Sequence, residues 1–259
     1  MARTAMGMGI VLAMAAVPVM VMAQSNGADA QRPIPFKTTA KVWVDEAGVP
    51  QRVEASEELP AGVRETIDSM IGRWRFKPAA VNGQPRSGVT YLRLNACAIV
   101  SESGKLNLAI GNNGIGPIIA GNASGFLTPP RYPVEAVKQM VDGEMIATWR
   151  VLPDGTAQWM SIEPKAGASR RNSQLRYFEP ALRQWVAQLR YLPEEVDGHP
   201  VATVIQTPVE FRLSGDPVLE HMNQLRTSTS QECVAAMQAE AASTSPIAET
   251  AFTPLSDGS

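Results

Sequence analysis

Two segments of this 259-residue chain repeat each other at a separation of 115 residues. Val63, Ile67, Met70, Ile71 and Trp74 align with Phe178, Leu182, Trp185, Val186 and Leu189. In both copies the apolar residues fall at i, i+4, i+7, i+8 and i+11, the stripe of an amphipathic helix. The alignment continues without a gap. Arg75, Phe76, Pro78, Val81, Asn82, Gly83 and Pro85 meet Arg190, Tyr191, Pro193, Val196, Asp197, Gly198 and Pro200. A helix followed by R-[FY]-x-P-x-x-V-[ND]-G-x-P is therefore present twice, which predicts two similar small domains.

The residues around each helix extend the parallel. In the first copy, residues 40–44 and 49–55 alternate apolar and polar about the turn Asp45-Glu46-Ala47-Gly48, the pattern of a hairpin. Pro60-Ala61-Gly62 leads into the helix at 63–74, Pro78 ends it, and residues 89–100 read as a third strand. In the second copy, strands at 145–151 and 157–162 flank Pro153-Asp154-Gly155, and a polar loop covers 165–173. The helix then spans 177–190, and a closing strand at 201–213 contains Pro208, which places it at an edge or a bulge. Strand, strand, helix, strand in each copy predicts an α+β fold: two small domains, each an antiparallel three-stranded sheet with one face covered by its helix. Units this small are marginal alone and are expected to lean on each other.

The rest of the chain divides accordingly. Residues 37–100 are the first domain and 129–215 the second, which gains a short helix at 134–140. Residues 24–36 are a polar lead-in. Residues 101–128 carry Gly104, Gly111, Gly114, Gly116, Gly121 and Gly125 and read as a linker with room for a short strand at 106–110. Residues 216–259 are a tail with a short helix near 230–242 and a small, polar, disordered end.

Residues 5–23 hold no charged side chain, follow Arg3 and end in Val21-Met22-Ala23 before Gln24-Ser25. This pattern points to a signal peptide, residues 1–23, cut after Ala23; the rival reading is an uncleaved membrane anchor. Either way the remainder is exported. The two cysteines, Cys97 and Cys233, then suggest a disulfide in an oxidising compartment, against the alternative of two buried thiols.

The second copy resembles the C-terminal domain of the TonB family of energy transducers. The resemblance rests on Pro130-Arg131-Tyr132-Pro133-Val134-Glu135-Ala136, Gly143, Asp154-Gly155, Arg190-Tyr191-Leu192-Pro193, Asp197-Gly198-His199-Pro200 and the apolar strand Val209-Glu210-Phe211-Arg212-Leu213. It departs where Leu189 stands before Arg190 in place of a tryptophan. The first copy has the closer Trp74-Arg75-Phe76-Lys77-Pro78 but lacks the Pro-x-Tyr-Pro lead and its helix, and so looks like a degenerate copy.

The resemblance implies a non-catalytic, periplasmic protein-binding module. In the family, an anchored transducer meets the ExbB–ExbD complex, and its C-terminal domain takes a short segment of an outer-membrane receptor, the TonB box, as an added strand. Carried onto this chain, the partner-binding residues are Arg131, Tyr132, Pro133, Val209, Phe211 and Leu213, and the partner is an extended segment of a receptor or other envelope protein. Membrane contact is expected only through an uncleaved residue 1–23 segment, and a homodimer is a further expectation. The chain departs from a transducer in two ways. Its apolar N-terminal run has no titratable group, and its 13-residue lead-in at 24–36 reaches about 45 Å at most. The alternative from another class is a structural or envelope-assembly protein with no free edge.

Catalysis has little support. His199 and His221 lie in a turn and in the tail, and H-E-x-x-H, G-x-S-x-G and P-loop patterns are absent from the sequence. No enzyme activity, cofactor or metal site is expected. With 23 Lys and Arg against 25 Asp and Glu, nucleic acid is not an expected partner. Trp74, Trp149 and Trp185 read as core, and Trp159 as the tryptophan to test for a ligand. Tyr132 serves either a partner or the packing of its own domain. Arg170, Arg171, Arg176, Arg183 and Arg190 form a basic flank, and Asn122-Ala123-Ser124 is a sequon.

Overall fold

A computed structural model of the chain describes residues 33–100, 106–122, 127–167, 174–213, 233 and 247–255. The fold is α+β, built mostly of antiparallel strands with few helices. Among the described residues no helix is long and apolar enough to cross a membrane. The expectations for residues 1–23, Arg170, Arg171, His221 and most of the sequon lie outside the described residues.

The first unit opens with β1 (Ile34–Val44) and β2 (Pro50–Ala55), the expected hairpin. Asp45 closes its turn, accepting hydrogen bonds from the backbone N–H groups of Ala47 and Val49 at 2.9 and 2.8 Å. Helix α1 (Ala61–Ile71) buries Ile67 and Ile71 completely, and the Asp68 carboxylate takes the Ala55 N–H at 2.8 Å, pinning the helix to the end of β2. Then follow β3 (Arg75–Lys77), β4 (Ala79–Val81) and β5 (Gln84–Arg86). The β4–β5 turn is Asn82-Gly83, both at positive φ (52° and 77°), as such a two-residue turn requires. The long β6 (Gly88–Val100) pairs with β1 along the whole of β1.

The glycine-rich stretch corrects the expectation of a linker at 101–128. It contains β7 (Leu106–Ile115), ten residues paired with β6, and β8 (Ile118–Ile119). A register shift at Arg93/Leu94 absorbs the irregularity that the glycines bring. A strand as long as β6 has a second edge, and β7 covers it.

The second unit has α2 (Val134–Lys138), β9 (Gly143–Val151), β10 (Ala157–Pro164), a 3-10 turn at Leu175–Tyr177, and α3 (Glu179–Gln188). Next come β11 (Tyr191–Leu192), β12 (Glu195–Val196), β13 (His199–Pro200) and β14 (Thr203–Phe211). Its core holds Met145, Trp149, Phe178, Leu182 and Val186, all with no exposed surface. The arginine after each helix does the same work in both copies. Arg75 donates to the Trp74 carbonyl and Arg190 to the Leu189 carbonyl, each at 2.8 Å, holding the chain between the helix and the following strand.

The two units are not self-contained three-stranded sheets. The first sheet has the order β13-β12-β6-β1-β2, with β7 also on β6, so a hairpin from the second half of the chain sits on the first unit. Val196 is 9% exposed in the first core, whereas its repeat equivalent Val81 is 43% exposed. The second sheet has the order β10-β9-β14-β15, where β15 (Ile247–Ala248) and β16 (Thr253–Leu255) come from the expected tail. That corrects the reading of a disordered end. Residues 247–255 pair with both units, and Phe252 is wholly buried in the first core. Of the short helix expected near 230–242 only Cys233 is described, in a helical conformation and disulfide-bonded to Cys97 with a Cα separation of 6.2 Å.

Candidate strand-docking edge

Strand β14 pairs with β9 in nine consecutive antiparallel pairs, from Thr203–Val151 to Phe211–Gly143, without a bulge. Its odd-numbered side chains, Ile205, Val209 and Phe211 among them, enter the core. On its other side β15 meets only Ile205 and Gln206. The Glu249 N–H donates to the Val204 carbonyl at 3.0 Å, so the even-numbered residues of β14 turn their backbone groups to that side. Pro208, with no N–H to offer, stands among them, which is where a sheet tolerates proline. Beyond Gln206, no described residue pairs with this side. The groups it presents are the Pro208 carbonyl and the N–H and carbonyl of Glu210.

Three other strands of six or more residues have open sides among the described residues, β2, β7 and β10, and each is blunted; β7 bulges at Asn113, between its pairs with Arg93 and Leu94. The β1–β2 ladder shifts register at Trp43/Val44, and β2 carries Arg52 and Glu54 in an ion pair. The β9–β10 ladder shifts at Trp159/Ser161, and β10 ends in Pro164. Bulges, charges and prolines discourage edge pairing. β14 is the edge whose ladder runs without a register shift.

The expected partner-binding residues gather at the far end of β14, with differing exposure. Tyr132 packs edge-on against Phe211 at 5.3 Å and Phe178 at 6.2 Å, and Phe178 stacks on Phe211 at 4.9 Å. The Tyr132 hydroxyl donates to the Val141 carbonyl at 2.8 Å. Burial, reinforced by the nearby Asp142 carboxylate, pushes its pKa up to about 12. Of the two roles open to Tyr132, the structure places its ring in its own domain's packing. Val209 and Phe211 are buried and their backbone groups face β9, so what β14 presents outward here is the backbone of Pro208 and Glu210. Leu213 is half-buried, its N–H donating to Asp142 at 2.9 Å, while Arg131 is exposed and Pro133 half-buried. Beside them Val134, Val137 and Met140 expose apolar surface on and just after α2.

A buried polar cluster lies where the two units meet. Glu194, with no exposed surface, accepts hydrogen bonds from Thr90 Oγ1 at 2.7 Å, Thr203 Oγ1 at 3.3 Å and the Ala251 N–H at 3.0 Å. Burial raises its pKa; the hydrogen bonds and the Arg93 guanidinium oppose that. Arg93 donates to the carbonyls of Pro117 at 3.0 Å and Ile115 at 3.2 Å, and burial pushes its pKa down to about 10. One residue from each of β6, β14 and the 247–255 segment thus meets this single carboxylate. Sequence reasoning missed it, because Glu194 sits in a polar Glu-Glu pair with no pattern to mark one of them as buried.

The remaining candidates make contacts within the second unit. Trp149 is in the core, its indole N–H donating to the Tyr191 hydroxyl at 3.1 Å. Trp159 packs against the second core with Arg183 over its ring at 5.3 Å, and Arg183 also pairs with Glu179. Arg176 and Arg190 donate to Tyr177 and to helix-end carbonyls. A cavity of about 400 Å³ on the first unit is lined by Lys41, Glu54, Arg64, Asp68, Tyr91 and Leu192, with opposite charges side by side. Among the described residues no group of His, Cys, Asp or Glu is arranged to hold a metal ion. No protein-family model matches the chain, and comparison with curated proteins finds no match.

Proposed function

We propose that this is an exported, non-catalytic protein-binding module of the TonB C-terminal type, present in two copies, the second of which takes an extended segment of an envelope or outer-membrane receptor protein as an added strand on β14. The observation that carries this reading is that no described residue pairs with the outer side of β14 beyond Gln206. An antiparallel strand laid there finds the Pro208 carbonyl and both backbone groups of Glu210. Such bonds contribute about 0.5–1.5 kcal/mol each. Three of them fall short of the roughly 4–15 kcal/mol lost on association. The ligand therefore also uses the apolar surface of Val134, Val137 and Met140, or extends the ladder toward Val204 by displacing β15. A role in TonB-dependent transport belongs to this reading, with residues 1–23 directing export to the periplasm or anchoring the chain in the inner membrane.

The test is amide exchange with and without peptides copied from receptor N-terminal segments. The Glu210 N–H faces outward, while that of Val209 faces β9. Ligand binding is expected to slow exchange at Glu210 and leave Val209 unchanged. Binding that leaves Glu210 untouched removes the proposed edge. If no extended peptide binds, the second reading stands: a structural envelope protein, favoured by the way β15, β16 and the β12–β13 hairpin fill edges from within the chain.

A further inference from the structure

Residues 247–255 dock at a position that both copies use in the same way. In the first copy the Phe76 N–H donates to Gly48 of the hairpin turn at 2.9 Å; in the second, the Tyr191 N–H donates to Gly155 at 2.8 Å. Both glycines have φ near +80°, and a Cβ on either would run into the carbonyl of the facing aromatic residue. In each copy this short strand then accepts an antiparallel partner from outside the strand-strand-helix-strand order. β11 takes β8, from the connection just before its own unit; β3 takes β16, from the far end of the described chain. The R-[FY]-x-P strand is thus a repeated docking edge, filled locally in one copy and by a distant segment in the other.

The distant segment has the attributes of a bound peptide. It is extended, nine described residues long, and touches two units at separate points. Ile247 and Ala248 pair with β14, Ala251 donates to Glu194, Phe252 fills the first core, and residues 253–255 pair with β3. Thr250 Oγ1 donates to the Phe252 carbonyl at 2.6 Å and sets the bend between the two strands. The Cys97–Cys233 bond tethers the chain 14 residues upstream of Ile247, which holds the segment at high effective concentration near its site.

We propose that β3, the Phe252 pocket, Glu194 and the start of β14 form a binding site for an extended phenylalanine-bearing segment, that residues 247–255 are its resident occupant, and that the site exchanges this occupant for the same segment of a second copy of the chain. The site shares only the start of β14 with the receptor edge, so its test and the Glu210 test fail separately.

A protease site placed within residues 234–246 of the full chain severs the segment with the disulfide intact. The released fragment is expected to co-elute with the protein at micromolar concentration and to be displaced by excess synthetic 245–256 peptide. The same peptide carrying Phe252→Ala is expected to compete about a hundredfold less well or worse. Loss of the fragment without competitor, failure of any excess to displace it, or equal competition by both peptides overturns the proposal. The unmodified chain supplies a second readout. Amides of Glu249 and Ala251 are expected to exchange by local opening, faster than those of β9; exchange at the β9 rate means the segment leaves only on global unfolding, and the proposal falls.

Discussion

Cys97 lies toward the end of β6, between β1 and β7, and its bond to Cys233 closes a loop spanning 136 positions. That loop contains the end of β6, β7, β8 and the whole second unit. Closing it removes freedom from the unfolded chain. The loop-length relation gives about 17 cal/mol/K, or about 5 kcal/mol at 25 °C, as the stabilisation of a perfectly fitting bridge. Against a total stability of roughly 5–15 kcal/mol this is a large share. Both side chains are almost wholly buried, so replacing them together with alanine loses little else than the bond and two sulfur atoms. Urea denaturation of the oxidised protein and of the Cys97→Ala/Cys233→Ala variant, each fitted for slope and midpoint, measures the difference. We expect a loss of about 3–5 kcal/mol with the folded spectrum retained. A loss below about 1 kcal/mol in a two-state transition would mean that the loop is not free in the unfolded chain or that the bond does not form.

Three further expectations follow from single residues. The folded-state pKa of Glu194 is raised, so the folded protein holds a proton that the unfolded chain releases; stability is highest below the ordinary carboxylate range and falls as pH rises through the folded pKa. Glu194→Gln should flatten that decline in denaturation curves taken from pH 4 to 8, and an unchanged slope refutes the assignment; Asp68, also raised by burial, keeps a residual slope of the same sign. Val196→Ala should cost about 2 kcal/mol, from two buried methyl groups and the space they leave, whereas the repeat-equivalent Val81→Ala should stay within about 0.5 kcal/mol by thermal melting. Tyr132→Phe should cost about 1 kcal/mol by removing the bond to Val141 while leaving the ring cluster intact, and its affinity for any β14 ligand should be unchanged; a selective loss of binding instead gives the hydroxyl a partner role.

What the sequence made legible was local. The helix stripes are periodic, and Ile67, Ile71, Leu182 and Val186 are buried where the period puts them. Asn82-Gly83 and Asp197-Gly198 adopt matching positive φ values because the two-residue turn demands them. The hairpins followed from alternation about Asp45 and Asp154. The misses share a cause: strand pairing is decided by the partner, and the partner is not nearby in sequence. Gly111 and Gly114 weaken β7 as an isolated strand, yet the second edge of β6 recruits it. The residues around Phe252 are small and polar enough to read as a loose end, and only the pocket in the first core explains why that aromatic is there. Glu194 and Glu195 are indistinguishable in sequence, and the placement of Thr90 and Ala251 decides which one is buried.

The divergence of the two copies bears on which of them binds. The first copy accepts β7 and β12 on β6, β16 on β3, and both Val196 and Phe252 in its core. Each of these comes from beyond its own strand-strand-helix-strand order. A unit with a small core gains stability from this borrowing, and the borrowing covers the side of β6 that corresponds to the outer side of β14. The second copy has a core of its own, with Trp149, Phe178 and Phe211 at its centre, and among the described residues the outer side of β14 is paired only from Val204 to Gln206. If the two copies began alike, supporting contacts have accumulated on β6 of the first, whereas among the described residues its counterpart β14 is paired over only part of its outer side. An added strand from another protein is therefore expected at β14, and substitutions that loosen the first copy should lower stability before they alter binding there.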